Sequence, residues 1–521
     1  MRLRSYCIIL AFTFCVGLRT VSFAEVKLPS VIGENMVLQR GQADSIWGWA
    51  DADEDVTVEF NGQTKSTKAG DNGKWSVKLD PMRQGGPFEM TIKGKNVIKL
   101  GNIMIGDVWV CSGQSNMEWN VANSNNADTE IKEANYPNIR LITVPKASKN
   151  EPQDNFNGKW EACSPDTVKD FSAVGYFFGR KINQETGVAV GLIHSSWGGS
   201  SCETWINPTV VAQYQMYDAI MKRKAAADEK SPGGGDNQQA GYLYNGMIVP
   251  IKNFGIKGAI WYQGETNADR AYQYRTLFPL MIQNWREEWG QGDFPFYFVQ
   301  LANFMDTQAE PDESAWAELR EAQSMTAQTL RNTGEAVIID IGDAKDIHPR
   351  NKQDVGLRLA LISLARDRGP NMATAQGGQG GQRSQGRQEG EGNVQRPRAQ
   401  AQAQRQGQGL AMSEGPRFRS MRINGNEAII SFQTQTARGL KAKDGSEIKG
   451  FAIAGADKKF YWADAKIERG TVVVSSSKVP NPVAVRYAWA NNPVCNLYNG
   501  ADLPAGPFRT DIWPGVTINN K

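Results

Sequence analysis

The chain has 521 residues, more than one ordinary domain holds, so two or three domains are expected. Its formal charge of +3 falls to near zero once residues 1–24, with three arginines and no acidic residue, are set aside; this argues against nucleic-acid or membrane-surface partners recruited by bulk charge. Of six cysteines, Cys111, Cys163, Cys202 and Cys495 lie beyond residue 24; four in so long a chain is not a disulfide scaffold, though export would permit one or two bridges, and their spacing matches no metal site.

The first 24 residues read as a secretory signal peptide. Arg2 and Arg4 precede an apolar run from Tyr6 to Leu18, and Ser22-Phe23-Ala24 offers small residues for cleavage. The mature protein is therefore expected to be exported, and no later apolar run approaches the ~20 residues of a membrane span. Residues 25–102 read as a small N-terminal β-sandwich domain of short alternating strands, with "FNGQ" (60–63) and "DNGK" (71–74) marking hairpins.

From 103 to 372 the pattern changes. Apolar runs such as "DVWVC", "VAVGLIH", "KGAIWYQ", "FYFVQL" and "EAVIID" alternate with segments of helical spacing, among them 271–289 and 355–367. This predicts an α/β domain whose parallel sheet is covered on both faces, with ligands bound beyond the carboxyl ends of its strands. Residues 373–415 are dominated by Gln, Gly, Ala and Arg and read as a disordered insertion or linker with almost nothing to bury. Strand patterns return in 416–521, a C-terminal β-rich domain.

The candidate chemistry lies at the predicted strand ends. Ser115, in "CSGQSNMEW", follows an apolar run; it is either a nucleophile presented above a sheet or the cap of the following helix. Met117 stands where the Gly-x-Ser-x-Gly elbow has its last glycine, so the ordinary elbow is absent. The chain has two histidines. His348, in the polar loop "DIHPRNKQ", suits a general base; His194 ends an apolar run and suits a packed strand-end position.

Four stretches, in this order, resemble the SGNH hydrolase superfamily and within it the sialate O-acetylesterase family of carbohydrate esterases: "SGQSNMEW", "SSWGGSSCETWI" (195–206), "AIWYQGETNA" (259–268) and "DIHPRNKQDVGLRLA" (346–360). The resemblance implies an SGNH-hydrolase-like three-layer α/β/α domain between two β-sandwich-like domains, and a cofactor-free serine esterase acting on an acetylated carbohydrate. It implies Ser115 as nucleophile and His348 as base, with the Ser115 N–H, the Gly199 N–H and the Gln263 side chain as the oxyanion hole. Many such enzymes carry an aspartate three residues before the histidine; here that residue is Lys345. The orienting group is then Asp346, or Glu265 from across the site, or a backbone carbonyl. Asp346 also reads as a local cap. Trp197, Asn267 and Arg320 are candidate substrate contacts, Arg320 for a sugar carboxylate. Sialic acid is the implied substrate, with acetylxylan or another acetylated polysaccharide as the alternative and a non-catalytic carbohydrate-binding protein as the rival of another class.

Overall fold

The computed structural model describes residues 25–367 and 412–521. The predicted insertion therefore lies, apart from its last few residues, outside the described part, as does the leader at 1–24. Among the described residues no helix is long and apolar enough to cross a membrane.

The N-terminal region forms strands that alternate buried and exposed residues, as at Asp55–Phe60 and Lys74–Leu79. Asp55–Phe60 and Gln63–Lys68 pair antiparallel with Phe60 opposite Gln63. The two residues between them, Asn61 and Gly62, both have positive φ, which is the two-residue hairpin that Asn-Gly favours. The "DNGK" turn does something else. Lys74–Leu79 pairs with Asp44–Trp49, so this turn carries the chain from one sheet to the other rather than closing a hairpin.

Strand Val97–Gly113 runs for 17 residues. Its first half pairs with Gly85–Lys93 of the N-terminal region, and its second half is the centre of the parallel sheet. The expected boundary near residue 102 thus falls inside one continuous strand. A shared core follows, with Phe254 of the α/β region packed against Trp47 and Trp160.

The parallel sheet has the order Thr333–Ala336, Phe296–Val299, Gly258–Tyr262, Val97–Gly113, Val190–Ser196, Tyr136–Thr143, with Glu161–Cys163 added antiparallel at the edge. Its strands are buried along almost their whole length, as expected of strands covered on both faces. Helices Ala173–Thr186 and Lys352–Asp367 pack on one another so closely that a Cβ on Gly356 would stand 2.7 Å from Phe177 Cβ. Ala271–Trp289 and Ala315–Thr329 form another packed helix pair. The fold class is the expected one: a mixed, mainly parallel α/β sheet with helices, followed by small antiparallel sheets in the C-terminal region.

The run "EAVIID" is a strand for a shorter length than its composition suggests, ending at Ala336. Ile339 beyond it is buried in the C-terminal core beside Ile430, Val472 and Phe508. The four cysteines of the described residues are free thiols, three of them buried.

Candidate functional site

Register places the site. Gly113, the last residue of the central strand, lies level with Ser196 on one neighbour and Tyr262 on the other. Three loops therefore leave the sheet at the same height, beyond its carboxyl edge. Gly113 has φ 137°, and a Cβ there would stand 2.1 Å from the Tyr262 carbonyl oxygen; glycine is needed for the chain to turn so close to its neighbour. Gln114 then donates its N–H to Tyr262 O at 2.9 Å, while its Oε1 accepts from the Gly264 N–H at 3.2 Å. Trp197 donates its N–H to Gly113 O.

Ser115 opens a single helical turn, Ser115–Glu118, whose preceding residue Gln114 makes no side-chain cap. The serine hydroxyl caps nothing either. It lies 2.9 Å from His348 Nε2. His348 sits in the loop after the edge strand, four residues before helix Lys352–Asp367 begins. Trp119 lies flat against its ring, centroids 5.3 Å apart and planes 15° from parallel. The other histidine is buried with Nε2 at 2.5 Å from Ser196 Oγ, and burial pushes it down to about 4. It is the packed strand-end histidine that the sequence suggests.

Three groups were candidates to orient His348. The carboxylate facing Nδ1 is Asp346, at 3.4 Å, and the same Oδ1 accepts the His348 backbone N–H at 2.8 Å. Asp346 is 52% exposed at its side chain, against 29% for His348. Glu265 does not touch the ring. Its Oε1 accepts from Asn116 Nδ2 at 2.7 Å, and burial raises its carboxyl above the usual range. Lys352 points at the same amide, Nζ to Asn116 Oδ1 at 2.5 Å, and burial pushes this lysine down to about 7.

The expected oxyanion donors fare unequally. Among the described residues, the Ser115 and Gly199 N–H groups have no hydrogen-bond acceptor. Gly199 is exposed with φ 73°, and its carbonyl is tied back by Gln238 Nε2 as that of Gly198 is by Asn237 Nδ2. Gly198 packs against the serine so tightly that a Cβ would be 3.2 Å from Ser115 Cβ, but its N–H is taken by Glu118 Oε2 at 2.7 Å. Gln263 is a correction. Its amide nitrogen is spent on Asn267 Oδ1 (2.6 Å) and Ser200 O (3.3 Å), and its oxygen accepts from Tyr274. Both N–H groups of the fully buried amide are committed, so none is left for an oxyanion.

Two of the substrate-contact candidates are likewise corrected. Asn267 is buried, bonded to Cys202 N, Gln263 and Glu203, so it braces the glycine loop from behind. Arg320 is completely buried and gives four N–H bonds to the carbonyls of Leu301, Ala302, Ala490 and Asn491. It joins the α/β region to the C-terminal one and is out of reach of a sugar carboxylate. Trp197 is partly exposed beside the glycine turn, with Lys146 Nζ 5.7 Å from its ring. Trp205 and Trp261 are core residues stacked edge to face. Sequence reading passed over Asn116, Glu118 and Lys352, which carry no motif chemistry of their own and become visible through their partners.

The His348 charge state has a testable consequence. Burial pulls its pKa below the ordinary 6.5; the Asp346 charge pulls it up and Lys352 pushes it down. With the neutral His348 ring as the expected base, the acid limb of kcat/KM is expected below pH 6.5. Asp346→Asn keeps the acceptor for the His348 N–H while removing the charge that favours imidazolium, so the limb moves to lower pH. An exposed pair is worth about 0–1 kcal/mol, so kcat falls by roughly tenfold at most. A pH–rate profile of the variant checks both; a limb that moves upward contradicts the assignment.

Residues 105–360 match the family described as carbohydrate esterase, sialic acid-specific acetylesterase. The sialate O-acetylesterase of Pongo abelii is 28% identical over 95% of this chain and 94% of its own, and that of Rattus norvegicus 31% identical over 67% and 75%. The crystal structure of a carbohydrate acetylesterase from Xanthomonas citri superposes with a TM-score of 0.78 at 37% identity, covering 94% of this chain and all of that one. The fold and these relatives define a carboxylic ester hydrolase of the carbohydrate esterase class. Within that class, the chain belongs to the sialic acid-specific acetylesterase family.

Proposed function

We propose that the protein removes O-acetyl groups from sugars through a serine nucleophile, Ser115, activated by His348. The observation that carries this is the 2.9 Å contact between Ser115 Oγ and His348 Nε2 above the carboxyl edge of the parallel sheet. Oγ attacks the acetyl carbonyl as its proton passes to Nε2. The Ser115 and Gly199 N–H groups receive the oxyanion, and His348 returns the proton to the departing sugar hydroxyl. Water, deprotonated by His348, then attacks the acetyl-serine and releases acetate. Asp346 favours the tautomer with the proton on Nδ1 and supports imidazolium as it forms.

The names of the mammalian relatives support O-acetylated sialic acid as the substrate, and partly exposed Trp197 offers a face for a sugar ring. A second reading, an acetylated neutral polysaccharide such as acetylxylan, is favoured by the burial of Arg320, which leaves that arginine unable to pair with a sialic acid carboxylate. Acetate release from O-acetylated sialic acids and from acetylxylan, run side by side, separates the two. A preference for the polysaccharide of tenfold or more in kcat/KM would displace the sialate reading, and turnover of neither with no hydrolysis of an aryl acetate would sink the esterase mechanism itself. The composition of residues 1–24 supports export of the mature enzyme.

A further inference from the structure

The residue after the nucleophile is buried and polar. Asn116 is 1% exposed, and each part of its side-chain amide is engaged. Oδ1 accepts from Lys352 Nζ at 2.5 Å; Nδ2 donates to Glu265 Oε1 at 2.7 Å and to the Ile347 carbonyl at 3.0 Å. The amide orientation is dictated by these partners, because a flipped amide would turn its oxygen toward a carboxylate and a carbonyl and its N–H groups toward an ammonium.

The partners are telling in chain order. Ile347 immediately precedes His348, and Lys352 is the first residue of the helix that follows it. Two of the three bonds therefore grip the histidine segment on either side of the base. The third comes from the loop after strand Gly258–Tyr262. Lys352 Nζ also lies 5.3 Å from the Tyr262 ring centre and 5.7 Å from that of Trp119, the ring stacked on His348. By comparison the direct hold of Asp346 on the imidazole is weak: a 3.4 Å contact from a half-exposed carboxylate.

We propose that Asn116 is a positioning residue, clamped by Lys352 and Glu265, whose amide locks the histidine segment onto the serine turn and so sets the Ser115–His348 distance. The inference rests on the reading of Ser115 and His348 as nucleophile and base. Glu265 then acts on the base through Asn116, as a hydrogen-bond acceptor, and not as an orienting acid. The two roles separate cleanly. A clamp needs an acceptor opposite Asn116, which glutamine supplies, whereas an orienting acid needs the charge.

The test is hydrolysis of p-nitrophenyl acetate by the full-length enzyme, with kcat normalised to active sites counted from the burst. Asn116→Ala is expected to lower kcat by roughly a hundredfold, the effect of a misplacement near 1 Å, with KM within about twofold. Glu265→Gln is expected to keep kcat within about threefold of wild type, because the acceptor is retained. A purely structural role would lower the number of active sites and the melting temperature but not kcat per site. Asn116→Ala with kcat per site within threefold of wild type overturns the proposal, and so does a Glu265→Gln enzyme as slow as Asn116→Ala. Should Asn116→Ala not fold, Lys352→Met, which keeps the apolar stem, decides: a kcat loss of tenfold or more at unchanged KM supports the clamp, and an unchanged kcat overturns it. Ser115→Ala, run alongside, isolates the underlying reading. If that variant is active the nucleophile assignment fails; if it is dead and the Asn116 variant is fully active, the clamp alone fails.

Discussion

Ser115→Ala is expected to lower kcat by roughly a thousandfold or more, with the melting temperature almost unchanged. The size follows from the way nucleophile and base act as a unit: removing either removes covalent catalysis, and what is left is binding and oxyanion stabilisation. The intact fold follows from geometry. The serine hydroxyl caps no helix and is bonded to His348, at a position open to solvent on one side, so alanine leaves neither a buried unsatisfied group nor a cavity in the core. The same logic makes the effects of Ser115→Ala and His348→Ala non-additive; the double variant should be little slower than either single one. Turnover, circular dichroism and thermal melting of the three variants check this. A Ser115→Ala enzyme at wild-type rate would falsify the nucleophile assignment.

How much of this was legible in the sequence depended on the kind of residue. The parallel strands were readable because burial on both faces leaves continuous apolar runs, such as Val108 to Cys111 and Val190 to Ile193. Ser115, Gly199 and His348 stand out as candidates because each lies in a loop that follows an apolar run, where chain order and strand ends point to a site. The buried amides and the arginine were not readable. Gln263 and Asn267 stand in the motifs, yet their bonds go to Ser200, Cys202, Glu203 and Tyr274. Two of the four carbonyls that hold Arg320 lie about 170 residues away in the chain. A polar side chain in a motif offers its hydrogen-bonding capacity to whatever the fold brings near, and long-range backbone partners leave no local pattern. Lys352 gave no signal at all: a lysine at a helix start carries no motif chemistry, and here it is buried against Asn116. The boundary expected near residue 102 falls within a strand, because composition shifts halfway along a strand that pairs on both sides of that point.

The second large effect is expected at Gly113. Its φ of 137° lies where L-residues rarely go, and it occupies the centre of the sheet, with a parallel strand on each side. Gly113→Ala adds a Cβ that would sit 2.1 Å from Tyr262 O and 2.7 Å from Tyr262 C, both backbone atoms that cannot swing away. Backbone strain of about 1–3 kcal/mol and overpacking of about 1–3 kcal/mol combine to about 2–6 kcal/mol, a large share of the 5–15 kcal/mol that typically holds a domain together. A fall in melting temperature on the order of 10 °C is expected. Relief of the clash must push the Gly258–Tyr262 strand away from the central one, loosening the bond from Gln114 N–H to Tyr262 O that holds the serine turn, so the folded fraction should also lose kcat by up to about a hundredfold. Gly199→Ala is the control that separates strain from collision. Gly199 also has positive φ, but the nearest atom to its Cβ position is Asn237 Nδ2 at 3.8 Å. It bears the left-handed cost of about 1–2 kcal/mol without the clash. Thermal melts of both variants, with active-site-normalised kcat of Gly113→Ala, decide the matter. Equal, small losses of stability would mean that the sheet yields at Gly113 and that the serine turn is held by something other than this close approach to Tyr262.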